Sequence, residues 1–471
     1  MRGGHRGGPP RGKHSTLMAM HAASDDRDRA WAAPAATGPV SAVVRLPASK
    51  SITNRALVLA ALSDGPAWIA GPLRARDTLL AAAGLRAMGT EITDGGPESE
   101  AGWRVVAGQP PAGSRVSVDV GNAGTVLRFL PAVAALRSAS VYFDGDERIR
   151  QRPVGPILEA LHRIGARIED EGRGAVPFTV LGQGQVRGGA VTLDASGSSQ
   201  LVSGLLLAAP RFDQGIEIRH EGPPVPSAPH IAMTVRMLRA AGADVTQTES
   251  GGSGRPDEWR VRPGRLDLGS VTVEPDLSNA GPFLAAALVT GGTVSVPGWP
   301  RDSLQATGPI LDVLTRMGAR CEVGADGLTI SGTGTIRGID ADLRDIAELA
   351  PVLVAVAALA DTPSVFTGLA HTRRHETDRL AAPAKEINAL GGDITELPDG
   401  LQIRPCPLRA HAAGRPFDTY DDHRMVMAAA VLGLVIPGVR VANAATVAKT
   451  FPGFTGVWTE MLDPGMLGSG R

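Results

Sequence analysis

The sequence predicts an α/β protein built from repeated units, and two series of residues support that prediction. Five helix-like segments each end in a glycine followed by a strand-like residue, at Gly89, Gly165, Gly242, Gly318 and Gly391. Their intervals of 76, 77, 76 and 73 residues indicate an array of equivalent units. Small polar clusters form the second series. Most of them directly precede an apolar run, as the beginning of a helix would.

Each unit is expected to have the order βαβαββ. In the first unit, helices are predicted at 51–62 and 77–88, with a strand at 68–70 between them. Strand-like segments follow, and Gly121 begins the second unit. Two helices that alternate with strands over about 75 residues are typical of an α/β unit.

Six units, the last of them incomplete, are expected to form two domains of three units each. The first domain covers 48–273, and the second covers 38–47 together with 274–464. The segment 40–46 is predicted to be a strand that completes the last unit. Two chain crossings between the domains would form a hinge, with a ligand cleft between them.

The composition excludes several classes of function. A net charge of −1 disfavours a surface made for nucleic acid or anionic lipid, and no apolar run is long enough to span a membrane. The presence of only two cysteines, Cys321 and Cys406, favours the reducing cytoplasm. Residues 1–37 are rich in Gly, Arg and Pro without a signal-peptide core, so we expect a disordered extension there and a short tail at 465–471.

The polar clusters at the helix beginnings are suited to anions, because free backbone amides and the helix dipole favour negative charge there. Ser51 and Arg55 lie one turn apart after Lys50, so three donors can face one anion. The next two units have similar clusters of small or polar residues at a helix beginning, with Gly124 in GNAGTVLR and the segment 198–200 (SSQ). Each cluster alone is also compatible with an ordinary helix cap, but their matching positions predict a shared anion site.

Further charged residues stand at related positions in other units. Arg152 is the last residue of the run RIRQR and lies where a helix of unit two begins. The equivalent position in unit five is occupied by HETDR. The last apolar helix is preceded by DDHR. Lys449 follows in AKTFP. Two acids, Glu348 and Glu376, belong to these clusters, where partly desolvated carboxylates are candidates for proton transfer.

These clusters, in this order, resemble the 5-enolpyruvylshikimate-3-phosphate synthase family. The resemblance covers nearly everything after residue 38 and rests on ASKSITNR, GNAGTVLR, RQRP, SGSSQ, HETDR, DDHRM and AKTFP. It implies an inside-out α/β barrel of two domains, each of three βαβαββ units, with the active site in the cleft. It also implies transfer of the carboxyvinyl group of phosphoenolpyruvate to the 5-hydroxyl of shikimate 3-phosphate. Phosphate is released, no metal or organic cofactor takes part, and a monomer is expected.

The resemblance also implies roles for individual residues. Contacts to shikimate 3-phosphate are implied for Ser51, Arg55, Ser198, Ser199, Gln200 and Ser227. Contacts to phosphoenolpyruvate are implied for Lys50, Gly124, Arg152, Arg379, Arg424 and Lys449. Further substrate contacts are implied for Asn122, Glu348 and His375. A catalytic role is implied for Lys50, Glu348, Glu376 and Lys449, with the two acids in proton transfer.

Four positions depart from the commonest family pattern. Glu348 stands where aspartate is frequent, and His230 where tyrosine is frequent. His375 replaces a frequent lysine, and His371 a frequent asparagine. Glutamate retains the carboxylate, whereas histidine in place of lysine would make one charge depend on pH.

Three other interpretations are weaker. The sister carboxyvinyl transferase that acts on UDP-N-acetylglucosamine commonly carries a reactive cysteine in a mobile loop, which neither Cys321 nor Cys406 provides. A non-catalytic anion-binding protein would need the cations but not the two acids. A metal site at His371 and His375 is disfavoured, because two arginines lie between them and no third ligand is nearby.

Overall fold

Helices and short strands alternate along the chain. A computed structural model describes residues 30–95, 102–252, 254–411 and 414–463. Its strands are β1 Trp31–Ala32, β2 Ser41–Val43, β3 Ala67–Ala70, β4 Glu91–Asp94, β5 Trp103–Val106, β6 Arg115–Asp119, β7 Ser140–Asp144, β8 Arg167–Glu169, β9 Phe178–Leu181, β10 Gly189–Leu193, β11 Ile216–His220, β12 Val245–Thr248, β13 Glu258–Val261, β14 Ser270–Thr272, β15 Thr293–Pro297, β16 Ala319–Val323, β17 Gly327–Gly332, β18 Asp340–Asp342, β19 Ser364–Thr367, β20 Asp393–Leu397, β21 Gly400–Arg404 and β22 Arg440–Val441.

The α-helices fall between these strands and near the carboxyl end of the described chain. They are α1 Lys50–Ala61, α2 Arg76–Ala87, α3 Gly124–Ala135, α4 Gly155–Arg163, α5 Ser199–Ala208, α6 Ala228–Ala240, α7 Leu277–Thr290, α8 Thr307–Arg316, α9 Ala350–Ala358, α10 Ala381–Ala389, α11 His423–Val435 and α12 Phe454–Met461. Short 3₁₀ turns lie at Ile149–Gln151, Ala209–Arg211, Ala347–Leu349, Ala370–Arg374 and Ala444–Lys449. All helices in the described ranges are too short or too polar to pass through a lipid bilayer.

In the described part of the chain, the strands form five four-stranded sheets, and β1 pairs with β22 in a sixth sheet. The sheet β6-β7-β9-β8 is representative: β6 and β7 are parallel, and the other two pairs are antiparallel. Helix α3 makes the crossover that a parallel pair requires. The order strand, helix, strand, helix, strand, strand recurs over 189–261 and 340–404. The predicted α/β fold is confirmed.

Two strands join sheets far from them in the chain. β14 pairs with β3, with Val271 opposite Ile69, and β2 pairs with β15, with Ala42 opposite Val294. The prediction that the strand in 40–46 completes the last unit is therefore wrong, because that strand completes the sheet of β15, β16 and β17. The reason is that β14, which precedes α7, pairs in the first sheet. β2 therefore satisfies the backbone groups at the edge that β14 leaves open.

The buried apolar side chains of the described residues form two separate clusters. One runs from Ile52 to Val273. The other combines Ala33 to Val44 with Leu277 to Met461. We call the two parts of the chain the first half and the second half. The exact domain boundaries given above stay a prediction.

The prediction of disorder over 1–37 is wrong for its last part. Trp31–Ala32 pairs antiparallel with Arg440–Val441, and the Trp31 ring packs edge-on against Phe454. Backbone pairing and burial of apolar surface thus anchor residues 30–37 on the second half. The rest of the predicted extension, 1–29, and the predicted tail, 465–471, lie outside the described residues.

The five glycines of the repeat have positive φ angles, as their place after a helix requires. The values are 89° at Gly89, 105° at Gly165, 87° at Gly242, 112° at Gly318 and 96° at Gly391. Residues with a side chain rarely adopt this conformation, because the Cβ atom clashes with the backbone. The predicted glycine-ended helices are confirmed.

Candidate active site

An open cleft between the two halves collects most of the charged clusters. Its volume is about 570 Å³, which lies in the range typical of small-molecule binding sites. Its charged lining side chains are Lys50, Arg128, Arg152, Asp194, Glu348, Arg373, Arg374, Glu376, Arg379 and Arg424. Among the described lining residues, seven cations therefore face three carboxylates. Such an excess of positive charge attracts anions.

Helix beginnings place several of the lining residues. The Ser49 hydroxyl caps α1 by accepting the N–H of Ile52 at 3.4 Å. Ser198 caps α5 by accepting the N–H of Gln200 at 3.2 Å, and Asp422 caps α11 in the same way. The prediction that these polar clusters lie at helix beginnings is confirmed.

Glu376 lies in the middle of a group of cations. Its Oε1 accepts a hydrogen bond from Lys449 Nζ at 2.7 Å, and its Oε2 accepts one from Arg379 Nη2 at 3.0 Å. Arg152 Nη1 is 4.0 Å from Oε1. Burial alone would raise the pKa of Glu376, but Lys449, Arg379 and Arg152 lower that pKa well below its usual value. The carboxyl group is therefore ionised at neutral pH.

Arg379 is oriented by a buried carboxylate that the sequence reasoning did not single out. Arg379 Nε donates to Asp422 Oδ2 at 2.8 Å, and Nη2 donates to Oδ1 at 3.1 Å. The Asp422 side chain is 0% exposed. Two parallel hydrogen bonds fix the plane of the guanidinium group. The available signal was the place of Asp422 directly before an apolar helix.

Glu348 faces both the cleft and a smaller adjoining pocket. Its Oε2 accepts a hydrogen bond from Ser278 Oγ at 3.4 Å and lies 3.6 Å from Arg424 Nη2. Burial would raise the pKa of Glu348, but His230, Arg424 and Lys50 lower it to about 2. Glu348 is therefore ionised at neutral pH and can accept hydrogen bonds.

Lys50 is held between carboxylates at the first residue of α1. Its backbone N–H donates to Asp276 Oδ2 at 3.2 Å, and its Nζ donates to Asp77 Oδ2 at 3.3 Å. Burial would lower the pKa of Lys50, but Asp77, Glu376 and Glu348 raise it above the usual value. The ammonium group is thus charged. We find no sequence signal for Asp77, which approaches Lys50 only through the fold.

Gly124 lets three polar side chains converge. A Cβ atom at this position would lie 2.6 Å from Arg152 Nη2, 3.0 Å from Arg128 Nη1 and 3.1 Å from Gln200 Oε1. Arg128 was absent from the implied binding residues, although it belongs to the motif GNAGTVLR. Its Nη1 donates to the Gly124 carbonyl at 3.2 Å. The motif thus supplies both the space and one of the cations that use it.

Arg55 points into the protein interior. Its Nε donates to Thr234 Oγ1 at 2.7 Å, and its Nη2 donates to Ser203 Oγ at 3.3 Å and to the His230 carbonyl at 3.1 Å. Phe129 stacks near the guanidinium group, 5.2 Å from ring centre to Cζ. The structure therefore gives Arg55 a set of protein partners, away from the lining of the cleft.

The remaining implied residues lie at or beside the cleft. Ser51 and Ser227 line the adjoining pocket, together with Glu348. Asn122 offers its carbonyl oxygen to Lys449 Nζ at 3.0 Å, a contact that joins the two halves. Ser198, Gln200, His375 and Arg424 line the cleft. Ser199 is buried in the first turn of α5.

Two of the unusual histidines meet at the cleft wall. The rings of His371 and His375 are 5.5 Å apart and edge-on. Burial lowers the pKa of His371 to about 4, and burial together with Arg379 lowers the pKa of His375 well below its usual value. Both rings are therefore neutral at pH 7. Within the described ranges, His, Cys, Asp and Glu side chains form no group of three or more that could hold a metal ion.

Comparison with known proteins identifies the family. The family model described as EPSP synthase (3-phosphoshikimate 1-carboxyvinyltransferase) matches residues 34–458. The chain belongs to the EPSP synthase family. The 3-phosphoshikimate 1-carboxyvinyltransferase of Kocuria rhizophila is 48% identical over 452 residues, which is 94% of this chain and 99% of the relative.

Solved structures agree with this assignment to the EPSP synthase family. The EPSP synthase of Acinetobacter baumannii superposes with a TM-score of 0.74 at 25% identity, over 91% of this chain and 97% of that one. The enolpyruvyl transferase NikO from Streptomyces tendae shares the fold, with a TM-score of 0.69 at 20% identity over 91% of this chain and 96% of its own. The predicted family and the prediction of a transferase are confirmed. The roles of individual residues stay predictions.

Proposed function

We propose that this protein transfers the carboxyvinyl group of phosphoenolpyruvate to the 5-hydroxyl of shikimate 3-phosphate and releases phosphate. The reaction belongs to the shikimate pathway, which leads to chorismate and the aromatic amino acids. Membership of the EPSP synthase family supports the proposal. The single observation in the cleft that carries it is the carboxylate of Glu376, held between Lys449 and Arg379 among excess cations.

The charge of the cleft fits two anionic substrates that bind side by side. Phosphoenolpyruvate and shikimate 3-phosphate would repel each other strongly at contact distance unless nearby cations offset their charges. We place phosphoenolpyruvate among Lys50, Arg152, Arg379, Arg424 and Lys449. We place shikimate 3-phosphate near Ser198 and Gln200 of the cleft and near Ser51 and Ser227 of the adjoining pocket, which offer hydroxyl and amide donors. Guanidinium groups suit phosphate and carboxylate, because they donate two parallel hydrogen bonds.

The chemistry needs one acid that later acts as a base, and one further base. A proton is added to the methylene carbon of phosphoenolpyruvate, which leaves positive character on C2. The 5-hydroxyl oxygen then bonds to C2 and gives its proton to a base, a role that we assign to Glu348. Removal of a methyl proton from the addition product finally expels phosphate and restores the double bond. We assign the two proton transfers at carbon to Glu376.

The pKa of Glu376 is suited to change when substrate binds. The carboxyl is ionised while Lys449 and Arg379 interact with it alone. The phosphate and carboxylate groups of phosphoenolpyruvate would compete for both cations. Their negative charge raises the pKa of a neighbouring carboxyl group, so Glu376 would acquire a proton only in the complex.

The two halves act, in this proposal, as two domains of three βαβαββ units in an inside-out barrel. Their separate apolar clusters and the two crossing strands support that division. Closure of the domains would exclude water, which could otherwise trap the cationic intermediate. We further propose a cytoplasmic monomer that needs no cofactor and binds no nucleic acid.

The test is a phosphate-release assay with paired acceptors. We expect release with phosphoenolpyruvate and shikimate 3-phosphate, and none when UDP-N-acetylglucosamine replaces shikimate 3-phosphate. Release with the sugar nucleotide alone would assign the chain to the sister reaction. Absence of release with both acceptors, in protein that binds both anions by calorimetry, would favour a non-catalytic binding protein.

A further inference from the structure

One arginine of the first half binds the backbone of the second half directly beside Glu376. Arg148 Nε donates to the carbonyl oxygen of Glu376 at 3.1 Å, and Nη2 donates to that of His375 at 3.5 Å. The third arm of the guanidinium group, Nη1, donates to Gln151 Oε1 at 2.8 Å. Gln151 thus orients the guanidinium group so that its other edge faces the second half.

The same turn of chain also carries Arg152, so two guanidinium groups flank Glu376. The 3₁₀ turn Ile149–Gln151 lies between them, and the Arg152 N–H donates to the Ile149 carbonyl at 3.0 Å. Arg148 reaches the main chain of Glu376, whereas Arg152 Nη1 is 4.0 Å from its carboxylate. The turn therefore touches both ends of one residue across the cleft.

A bound substrate would affect the contacts of Arg148 and those of Arg152 differently. Arg152 and Lys449 face an acid, and an anionic substrate would compete with that acid for their charges. Arg148 binds neutral carbonyl groups and half-buries its side chain against protein. Its contacts can therefore persist when the cleft is filled, while those of its neighbours rearrange.

We propose that Arg148 is a positioning residue that holds the main chain of His375 and Glu376 in place when the halves come together. Through it, the first half sets the distance between the Glu376 carboxylate and the reacting carbon. This inference rests on the proposed function. Displacement of a catalytic group by about 1 Å can reduce a rate by about 10²-fold. Anchoring the main chain of His375 and Glu376 can therefore change the turnover rate.

The decisive variant is Arg148→Ala, with Arg150→Ala as its matched control. Arg150 stands on the same turn, but its Nη2 pairs with Asp144 Oδ2 at 2.7 Å, and its side chain is 52% exposed. We expect Arg148→Ala to lower kcat about 10- to 100-fold with little change in the KM of either substrate. We also expect a shifted pH profile of kcat, because Glu376 changes its surroundings. Arg148→Lys should restore part of kcat, since one ammonium can reach one carbonyl.

A second measurement is independent of turnover. Amide hydrogen exchange of a peptide covering 370–380 should be faster in Arg148→Ala than in the wild type or in Arg150→Ala. An Arg148→Ala enzyme with wild-type kcat, pH profile and exchange would overturn the inference. A wild-type protein without phosphate release would overturn the proposed function instead. If the wild-type protein releases no phosphate, the hydrogen exchange of this peptide still tests the anchor. Equal exchange in Arg148→Ala and Arg150→Ala would remove the anchoring role. Faster exchange in Arg148→Ala alone would keep the anchoring role without a consequence for catalysis.

Discussion

The carboxylate of Asp422 accepts two hydrogen bonds from the guanidinium group of Arg379. The same carboxylate caps the beginning of α11. Asp422 is fully buried, and Arg379 is almost so. The pair therefore exists in a poorly solvated environment, where loss of the Asp422 charge would leave Arg379 with Glu376 as its remaining carboxylate partner. It orients the cation that contacts Glu376.

Replacement of Asp422 by asparagine tests this relationship. We expect Asp422→Asn to lower the free energy of unfolding by about 3 kcal/mol, because a buried arginine loses one of its two carboxylate partners. The KM for phosphoenolpyruvate should rise as Arg379 loses its orientation. Urea unfolding and steady-state kinetics measure the two effects. Asp421→Asn, at the exposed neighbouring position, is the control, and equal behaviour of the two variants would contradict the prediction.

Glu376→Gln and Lys50→Met should each lower turnover by at least about 10²-fold. The first removes a proton-transfer group, and the second removes a cation held among three acids. Phosphate release under saturating substrate is the measurement. Glu159→Gln is a matched control, because Glu159 pairs with Arg163 on the exposed face of α4, and neither residue lines the cleft. Near-normal turnover in either of the first two variants removes that residue from the mechanism.

Gly124→Ala should raise the KM for phosphoenolpyruvate about 10-fold, because the added methyl group crowds the site. A tenfold change corresponds to about 1.4 kcal/mol of binding free energy. The added methyl group would displace Arg152, Arg128 or Gln200. Gly197→Ala is the control, since Gly197 also lines the cleft and a Cβ atom there meets nothing within 4 Å. The prediction fails if both variants keep the wild-type KM.

Arg55→Lys should lower the free energy of unfolding by about 1 to 3 kcal/mol. A lysine cannot donate hydrogen bonds to Thr234, Ser203 and the His230 carbonyl at the same time, as Arg55 does. Urea unfolding measures the change, with the exposed Arg262→Lys as control. The role implied by family resemblance leads to a different expectation. A direct substrate contact would weaken binding of shikimate 3-phosphate, seen by titration calorimetry, and leave the unfolding free energy unchanged.

His371 should make stability depend on pH. Its pKa is about 4 in the folded protein and near 6.5 when unfolded, so the unfolded chain binds more protons between these values. Its contribution therefore lowers the free energy of unfolding as pH falls from about 6.5 to about 4, and changes little below that. His371→Asn should show a shallower slope of stability against pH in this window.

The repeat, the α/β class and the helix beginnings were predictable because they depend on local physics. A glycine that ends a helix and a serine that caps one act within a few residues of themselves. Gly89 and its four equivalents could therefore be recognised from spacing, and Ser198 from its place before an apolar run. The anion-binding character of the clusters followed from the residue types at those positions.

Contacts between distant residues depended on the tertiary structure. β2 pairs with β15 rather than in the last unit, because another strand had left an edge of that sheet open. Asp77 meets Lys50, Arg55 turns inward to Thr234, and Arg148 crosses to the carbonyl of Glu376. The chain by itself determined which side chains stand at the beginning of each helix. Only the packing of one half against the other decided which of them meet, because such pairs are set by distances in space and not by separation along the sequence.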